Sequence, residues 1–335
     1  MRRRLLCAVM MLSATAWAVA GCGLSPRASG SSGTQPSRSG ASAATSPRPT
    51  QPVSARSLIS PATGKYLGIE ADGLPGSLTP LINLAAGLGQ RPNLAGQYVA
   101  WGTPFDASGA LKAWQYGALY YMAWEPFSTS AQAIAAGASD SYIRRFAQAV
   151  KGFGQPVAIS FGHEMNGVWY PWGSQATPAA DFVAAWRHIH NLFQAAGATN
   201  VIWVWNPNII NPLPQVQLRP YWPGNSYVDW VGITGYFGET GADSFNSVFG
   251  PTIREARQFT QKPFIIAETA VQSGPNAVTC ARSLVHAIAT KPDVLGFIWF
   301  DYDKDGVDWR IESRPEIRAV LAGSLAGVPL VRIGS

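Results

Sequence analysis

The chain has 335 residues, 47% of them hydrophobic, with 25 Lys+Arg against 19 Asp+Glu. Seven of those basic residues are arginines that precede the first acid, Glu70, and from Ser57 onward 18 basic residues face 19 acidic ones. The folded part is therefore near neutral, which argues against a nucleic-acid partner or a basic face for anionic lipid, and roughly 280 residues suffice for one large core.

Residues 1–22 read as an export signal. Arg2, Arg3 and Arg4 form its charged start and Leu5 to Ala20 its apolar middle. That run is about 16 residues, shorter than the ~20 of a membrane span. Val19-Ala20-Gly21-Cys22 resembles the lipobox of bacterial lipoproteins. The resemblance implies lipidation at Cys22 and an exported protein held on the extracellular side of the membrane, touching it only through that anchor. The other reading is ordinary cleavage after Ala18 or Ala20. Residues 23–56 are rich in Ser, Pro, Gly, Ala and Thr, with no acid and no aromatic ring. Such a segment buries too little apolar surface to offset its ordering entropy and reads as a disordered linker. The domain proper is expected at 57–335. It holds one cysteine, Cys280, in a stretch of helical pattern, and is expected to use it as a small core residue.

Eight apolar runs follow: Tyr66–Ile69, Gln97–Trp101, Leu119–Trp124, Val157–Phe161, Val201–Trp205, Trp230–Thr234, Phe264–Ala267 and Leu295–Phe300. Several are continuously apolar, as parallel strands covered on both faces are. The clearest helix lies between the fourth and fifth runs. Thr177 is its expected N-cap and Pro178 its first residue; Phe182, Trp186, Ile189 and Phe193 form one face, and Gly197 closes it. Helices are also predicted over Ser139 to Lys151, Asn276 to Thr290 and Pro315 to Leu321. Eight strands with intervening helices predict an α/β fold of the (β/α)8 barrel type.

In such a barrel the reacting groups sit at the carboxyl ends of strands. Here those ends carry Glu70, Trp124-Glu125, His163-Glu164, Asn206-Pro-Asn208, Tyr236, Glu268 and Trp299 to Asp301. Glu164 ends the fourth strand and Glu268 the seventh, across the barrel mouth from each other. A carboxyl pair beside aromatic rings suits sugar chemistry: rings bind the apolar face of a pyranose, and two carboxyl groups carry out acid/base or nucleophilic glycoside hydrolysis.

The run His163-Glu-Met-Asn-Gly-Val-Trp-Tyr-Pro-Trp-Gly173 closely resembles the strand-four signature of glycoside hydrolase family 26, typified by β-mannanases. Trp124-Glu-Pro126, Trp203-Val-Trp-Asn-Pro-Asn208, Ile266-Ala-Glu268, and Trp299-Phe-Asp301 with Asp308-Trp-Arg310 extend the likeness over most of residues 65–315. The resemblance implies a retaining endo-acting barrel enzyme. Glu164 would be acid/base and Glu268 nucleophile, with Tyr236 donating a hydrogen bond to the latter. His163 would position substrate or acid/base, and Trp169 and Trp299 would stack on sugars. Trp172, Glu125 and Asn206 complete the expected substrate-binding set. Many mannanases of the family carry Arg-Pro shortly before the His-Glu pair, where this chain has Ser160-Phe161. β-1,4-Mannan is thus the leading substrate, with mixed-linkage β-glucan and β-1,3-xylan as alternatives, and a barrel that binds polysaccharide without cleaving it as the rival of another class.

No metal or cofactor is expected. His188 and His190 lie two apart on a helix and point to different faces. Asp301, Asp303, Asp305 and Asp308 cluster near Gly306, with Glu312 twelfth from Asp301; the pattern partly fits a calcium loop, and the neighbouring Asp308-Trp-Arg310 favours a barrel loop instead. Arg310 is expected to buttress that loop. Glu70 is expected to pair with a core arginine, with a direct role in the site as the alternative, and the chain to act as a monomer.

Overall fold

A computed structural model describes residues 55–61, 63–238 and 243–334. The export signal, the lipobox-like Cys22 and nearly all of the 23–56 linker lie outside the described residues. Eight parallel strands close on themselves: β1 (Tyr66–Glu70), β2 (Leu94–Ala100), β3 (Leu119–Glu125), β4 (Val157–Phe161), β5 (Val201–Trp205), β6 (Trp230–Thr234), β7 (Phe264–Thr269) and β8 (Val294–Phe300). β8 returns to β1 in register, with Tyr66 opposite Gly296 and Glu70 opposite Phe300. The expected (β/α)8 barrel is what forms.

The helices are α1 (Ala55–Ile59), α2 (Thr79–Leu88), α3 (Ala107–Tyr116), α4 (Ala131–Ala135), α5 (Asp140–Phe153), α6 (Ala179–Ala196), α7 (Phe245–Val248), α8 (Gly250–Ala256), α9 (Ala277–Thr290) and α10 (Pro315–Leu325). The apolar face of α6 is the expected one, burying Phe182, Trp186, Ile189 and Phe193. Its start differs from the expectation. Pro178 is extended, with ψ 141°, and occupies the cap position, while the Thr177 hydroxyl donates to the Pro171 carbonyl instead of capping the helix. Cys280 is buried in α9.

Two apolar layers result. The lumen is filled by alternate residues of every strand, among them Leu94, Tyr121, Ala158, Ile202, Trp230, Ile265 and Ile298. The residues between them face the helices. The short helix α1 closes the amino-terminal end of the barrel: Tyr66 donates to the Leu58 carbonyl at 2.6 Å and Trp230 to the Ile59 carbonyl at 2.8 Å. Toward the other end the lumen turns polar. Gly96 and Gly232 make the space for it, because a Cβ on them would lie 3.0 Å from the Glu70 Cβ and 2.9 Å from the Asn206 Cβ.

Beyond β8 a small antiparallel hairpin, β9 (Asp303–Lys304) with β10 (Val307–Asp308), stands over the carboxyl end of the barrel. Arg310 buttresses it as expected, binding Asp308 at 2.8 Å and lying 3.6 Å from Asp303.

Candidate active site

β4 ends at Phe161 and the chain turns sharply through Gly162 and Glu164, both with positive φ, 54° and 56°. Glycine tolerates this conformation; glutamate there costs on the order of 1 kcal/mol, a strain typical of functional sites. The turn is held from below, where the Glu164 amide donates to the Asn206 carbonyl at 2.6 Å. It places the Glu164 carboxyl between two donors. Trp169 Nε1 donates to Oε2 and Asn208 Nδ2 to Oε1, each at 2.6 Å. Asn208 is fixed in turn by Asn166, whose side chain accepts from the Asn208 amide at 2.8 Å and donates to its carbonyl at 2.9 Å.

Glu268, at the end of β7, is held by two phenols. Tyr98 donates to Oε2 at 2.6 Å, and Tyr236 donates to Oε1. The ring of Tyr236 packs against Trp309 and Phe300, at centroid distances of 4.9 and 5.7 Å. Both carboxyl groups are buried and both are pushed above the ordinary carboxylate range. Burial is the main cause for Glu164, the charge of Glu268 adds to it, and the Asn208 and Trp169 donors oppose it, leaving the group at about 8. Burial also raises Glu268, opposed by Tyr236, Tyr98 and then Lys304. Two interacting carboxyl groups, each with its own pair of donors, can divide their work between proton donor and anion.

The model of glycosyl hydrolase family 26 matches residues 118–318. The chain belongs to that family. Endoglucanase H of Acetivibrio thermocellus is 34% identical over 245 residues, which is 69% of this chain and 27% of that protein. Mannan endo-1,4-beta-mannosidase A and B of Caldalkalibacillus mannanilyticus is 30% identical over 115 residues, 32% of this chain and 20% of that protein. The chain thus covers less than a third of the length of either relative. Among solved structures, Bacillus subtilis mannanase BCman superposes with a TM-score of 0.60 at 18% identity, over 84% of this chain and 90% of that one. At that identity the likeness speaks for the fold.

The family 26 site gathers most of the residues named from sequence. His163 is buried behind Glu164, its Nε2 3.2 Å from the Tyr170 hydroxyl. Burial, with a smaller push from Lys304, lowers it to about 3, so the ring is neutral at any working pH. Glu125 ends β3 partly exposed; burial raises it to about 7, against the attraction of Lys304.

Three expected substrate contacts are corrected. Trp299 is 1% exposed and donates to the Trp309 carbonyl. It lies between the inward-facing Ile298 and Phe300 and so points at the helix layer, out of reach of a sugar. Trp172 is 2% exposed, stacked on Tyr170 at 4.4 Å, with its N–H on the His163 carbonyl. It supports His163 from behind and offers no open face. Asn206 is 1% exposed and its side chain meets Thr234 at 3.3 Å beneath the site, whereas Asn208 reaches the carboxyl. The expected arginine partner of Glu70 is also wrong, since among the described residues no arginine donates to either of its carboxyl oxygens.

Sequence reasoning missed Tyr98, Phe300 and Trp309, and of the two asparagines flanking Pro207 it put Asn206 rather than Asn208 in the binding set. Tyr98 had a signal: Leu94, Gly96 and Tyr98 alternate along one face of β2, the face that lines the lumen.

Proposed function

We propose that this chain is a retaining endo-β-glycanase whose leading substrate is β-1,4-mannan. The observation that carries the proposal is the division of donors at the barrel mouth: two phenols on Glu268, one indole and one amide on Glu164. Phenolic O–H groups stabilise an anion, and Glu268 acts as the nucleophile. Glu164, held at about 8, keeps its proton at neutral pH and acts as the general acid.

In the first step Glu268 attacks the anomeric carbon while Glu164 gives its proton to the departing glycosidic oxygen. The leaving chain departs as an alcohol and the sugar stays on Glu268 as an ester. Glu164, now an anion, takes a proton from water, and the water oxygen displaces Glu268. Both groups return to their starting states. Tyr236 and Tyr98 hold the attacking oxygens in place throughout. The Trp169 ring, half-buried with its N–H on Glu164, is the sugar platform nearest the acid.

Family membership and relatives named as mannan endo-1,4-beta-mannosidases support mannan. The 34% identity to a protein named endoglucanase H favours mixed-linkage β-glucan as the second reading. The enzyme is further proposed to act as a monomer, exported and anchored by lipid at Cys22. Product analysis on mannan, glucomannan, lichenan and β-1,3-xylan tests the substrate: manno-oligosaccharides of mixed length support the proposal. Release from lichenan alone would replace mannan with glucan, and release from none would leave a barrel that only binds.

A further inference from the structure

Glu70 stands at the end of β1 on the strand face that Tyr66 presents to the lumen, within the field of Glu268. It is 1% exposed, and among the described residues neither oxygen has a hydrogen-bond donor. Its backbone carbonyl is occupied by the Asp301 amide at 2.9 Å, so the strand end is fixed. An ionised carboxylate in that position would forgo water and receive nothing for it. The hydroxyl beside it belongs to Tyr98, whose proton is already given to Glu268 Oε2 at 2.6 Å. A phenol has one proton to give and can still accept.

We infer that Glu70 is a protonated carboxylic acid that positions the nucleophile through Tyr98. Its O–H is donated to Tyr98 Oη, and the Tyr98 proton is thereby committed to Glu268. Were Glu70 an anion, it would compete with Glu268 for that one proton and repel the charge the reaction requires. The inference rests on the reading of Glu268 as nucleophile.

The surroundings agree. Burial pushes Glu70 well above the carboxylate range; Glu268 on β7 and Glu125 on β3 push the same way, and the Tyr98 hydroxyl and Lys304 of the hairpin oppose them. Phenols also lie in its field: Tyr120 and Tyr121 on β3, Tyr170, Tyr236 and Tyr302. Each is itself raised above its ordinary value and neutral at working pH. Gly96 on the neighbouring strand is what lets the side chain fit, since a Cβ there would lie 3.0 Å from the Glu70 Cβ.

The test uses Glu70→Gln, which mimics the neutral acid, and Glu70→Ala, which removes it. An infrared difference spectrum of wild type minus Glu70→Gln at neutral pH should contain the carbonyl band of a protonated carboxyl. That readout needs no turnover, so it stands apart from the identity of the nucleophile, which full activity in Glu268→Ala would overturn. In kinetics, Glu70→Gln should keep kcat within about threefold, whereas Glu70→Ala should lose roughly 10–100-fold with KM little changed and the acid limb of the pH profile shifted upward. In a Tyr98→Phe background, Glu70→Ala should shift that limb no further, because the two act in series. Absence of the band, or a Glu70→Gln enzyme as damaged as Glu70→Ala, would overturn the neutral acid. Additive shifts of the limb would overturn the route through Tyr98.

Discussion

Replacing Asn208 by alanine should move the alkaline limit of activity upward. Asn208 Nδ2 lies 2.6 Å from Glu164 Oε1 and stabilises the ionised form of that carboxyl. Glu164 must carry its proton to assist the departing oxygen, so the rate of glycosylation holds below its pKa of about 8 and falls above it. A hydrogen bond to a charged group contributes about 1.5–3 kcal/mol. At 1.36 kcal/mol per pH unit, losing it raises the group by about one to two units. The deletion is clean, because the two bonds from Asn166 go to the Asn208 backbone and survive it. The assay is kcat/KM against pH on an unactivated oligosaccharide, which reports the free enzyme. Asn206→Ala is the control; its side chain meets Thr234, so the limb should stay where it was. An Asn208→Ala limb that stays in place or moves to lower pH would refute Glu164 as the acid.

Three further outcomes are expected. Tyr236→Phe removes a donor that stabilises the Glu268 anion, so the acid limb should move to higher pH and kcat/KM on that side fall roughly 10–100-fold; an unmoved limb would mean that the phenol does not serve the nucleophile. Trp172→Ala deletes a buried ring and should destabilise the fold by about 3–5 kcal/mol, seen as a melting temperature lower by on the order of 10 °C, whereas a mutant that melts normally and only loses substrate affinity would restore the ring as a platform. Cys22→Ser should release the protein from the host membrane fraction, and a variant as membrane-bound as the parent would remove the lipid anchor.

The sequence made the barrel readable because its strands are short, continuously apolar and separated by amphipathic helices, and the position of each strand end followed. Glu164 and Glu268 were found for that reason. Continuity of the apolar pattern also hid the facing of β8. With Phe297, Ile298, Trp299 and Phe300 all apolar, nothing in the order of residues says which ring enters the lumen, and Trp299 was chosen where Phe300 points inward. The two asparagines around Pro207 posed a similar problem. A bridge from Asn208 to Thr234 carries the chain past the end of β5, which lifts the second asparagine to the carboxyl and leaves the first beneath. Tyr98 escaped because its partner lies 170 residues away on β7, a pairing that only the closed barrel creates, and Glu70, named at its strand end, was assigned an arginine because its neighbours on β2 come beside it only when β1 and β2 pair.

The central claim, a glycosyl-enzyme formed on Glu268 and released with the help of Glu164, leaves a mark on the first product. Displacement by Glu268 inverts the anomeric centre and displacement by water inverts it again, so a β-linked substrate yields the β-anomer. Proton NMR of the anomeric signals in the first minutes of hydrolysis, before mutarotation, reads this directly. The account predicts that the β-anomer appears first and decays toward equilibrium; an initial α-anomer would contradict it.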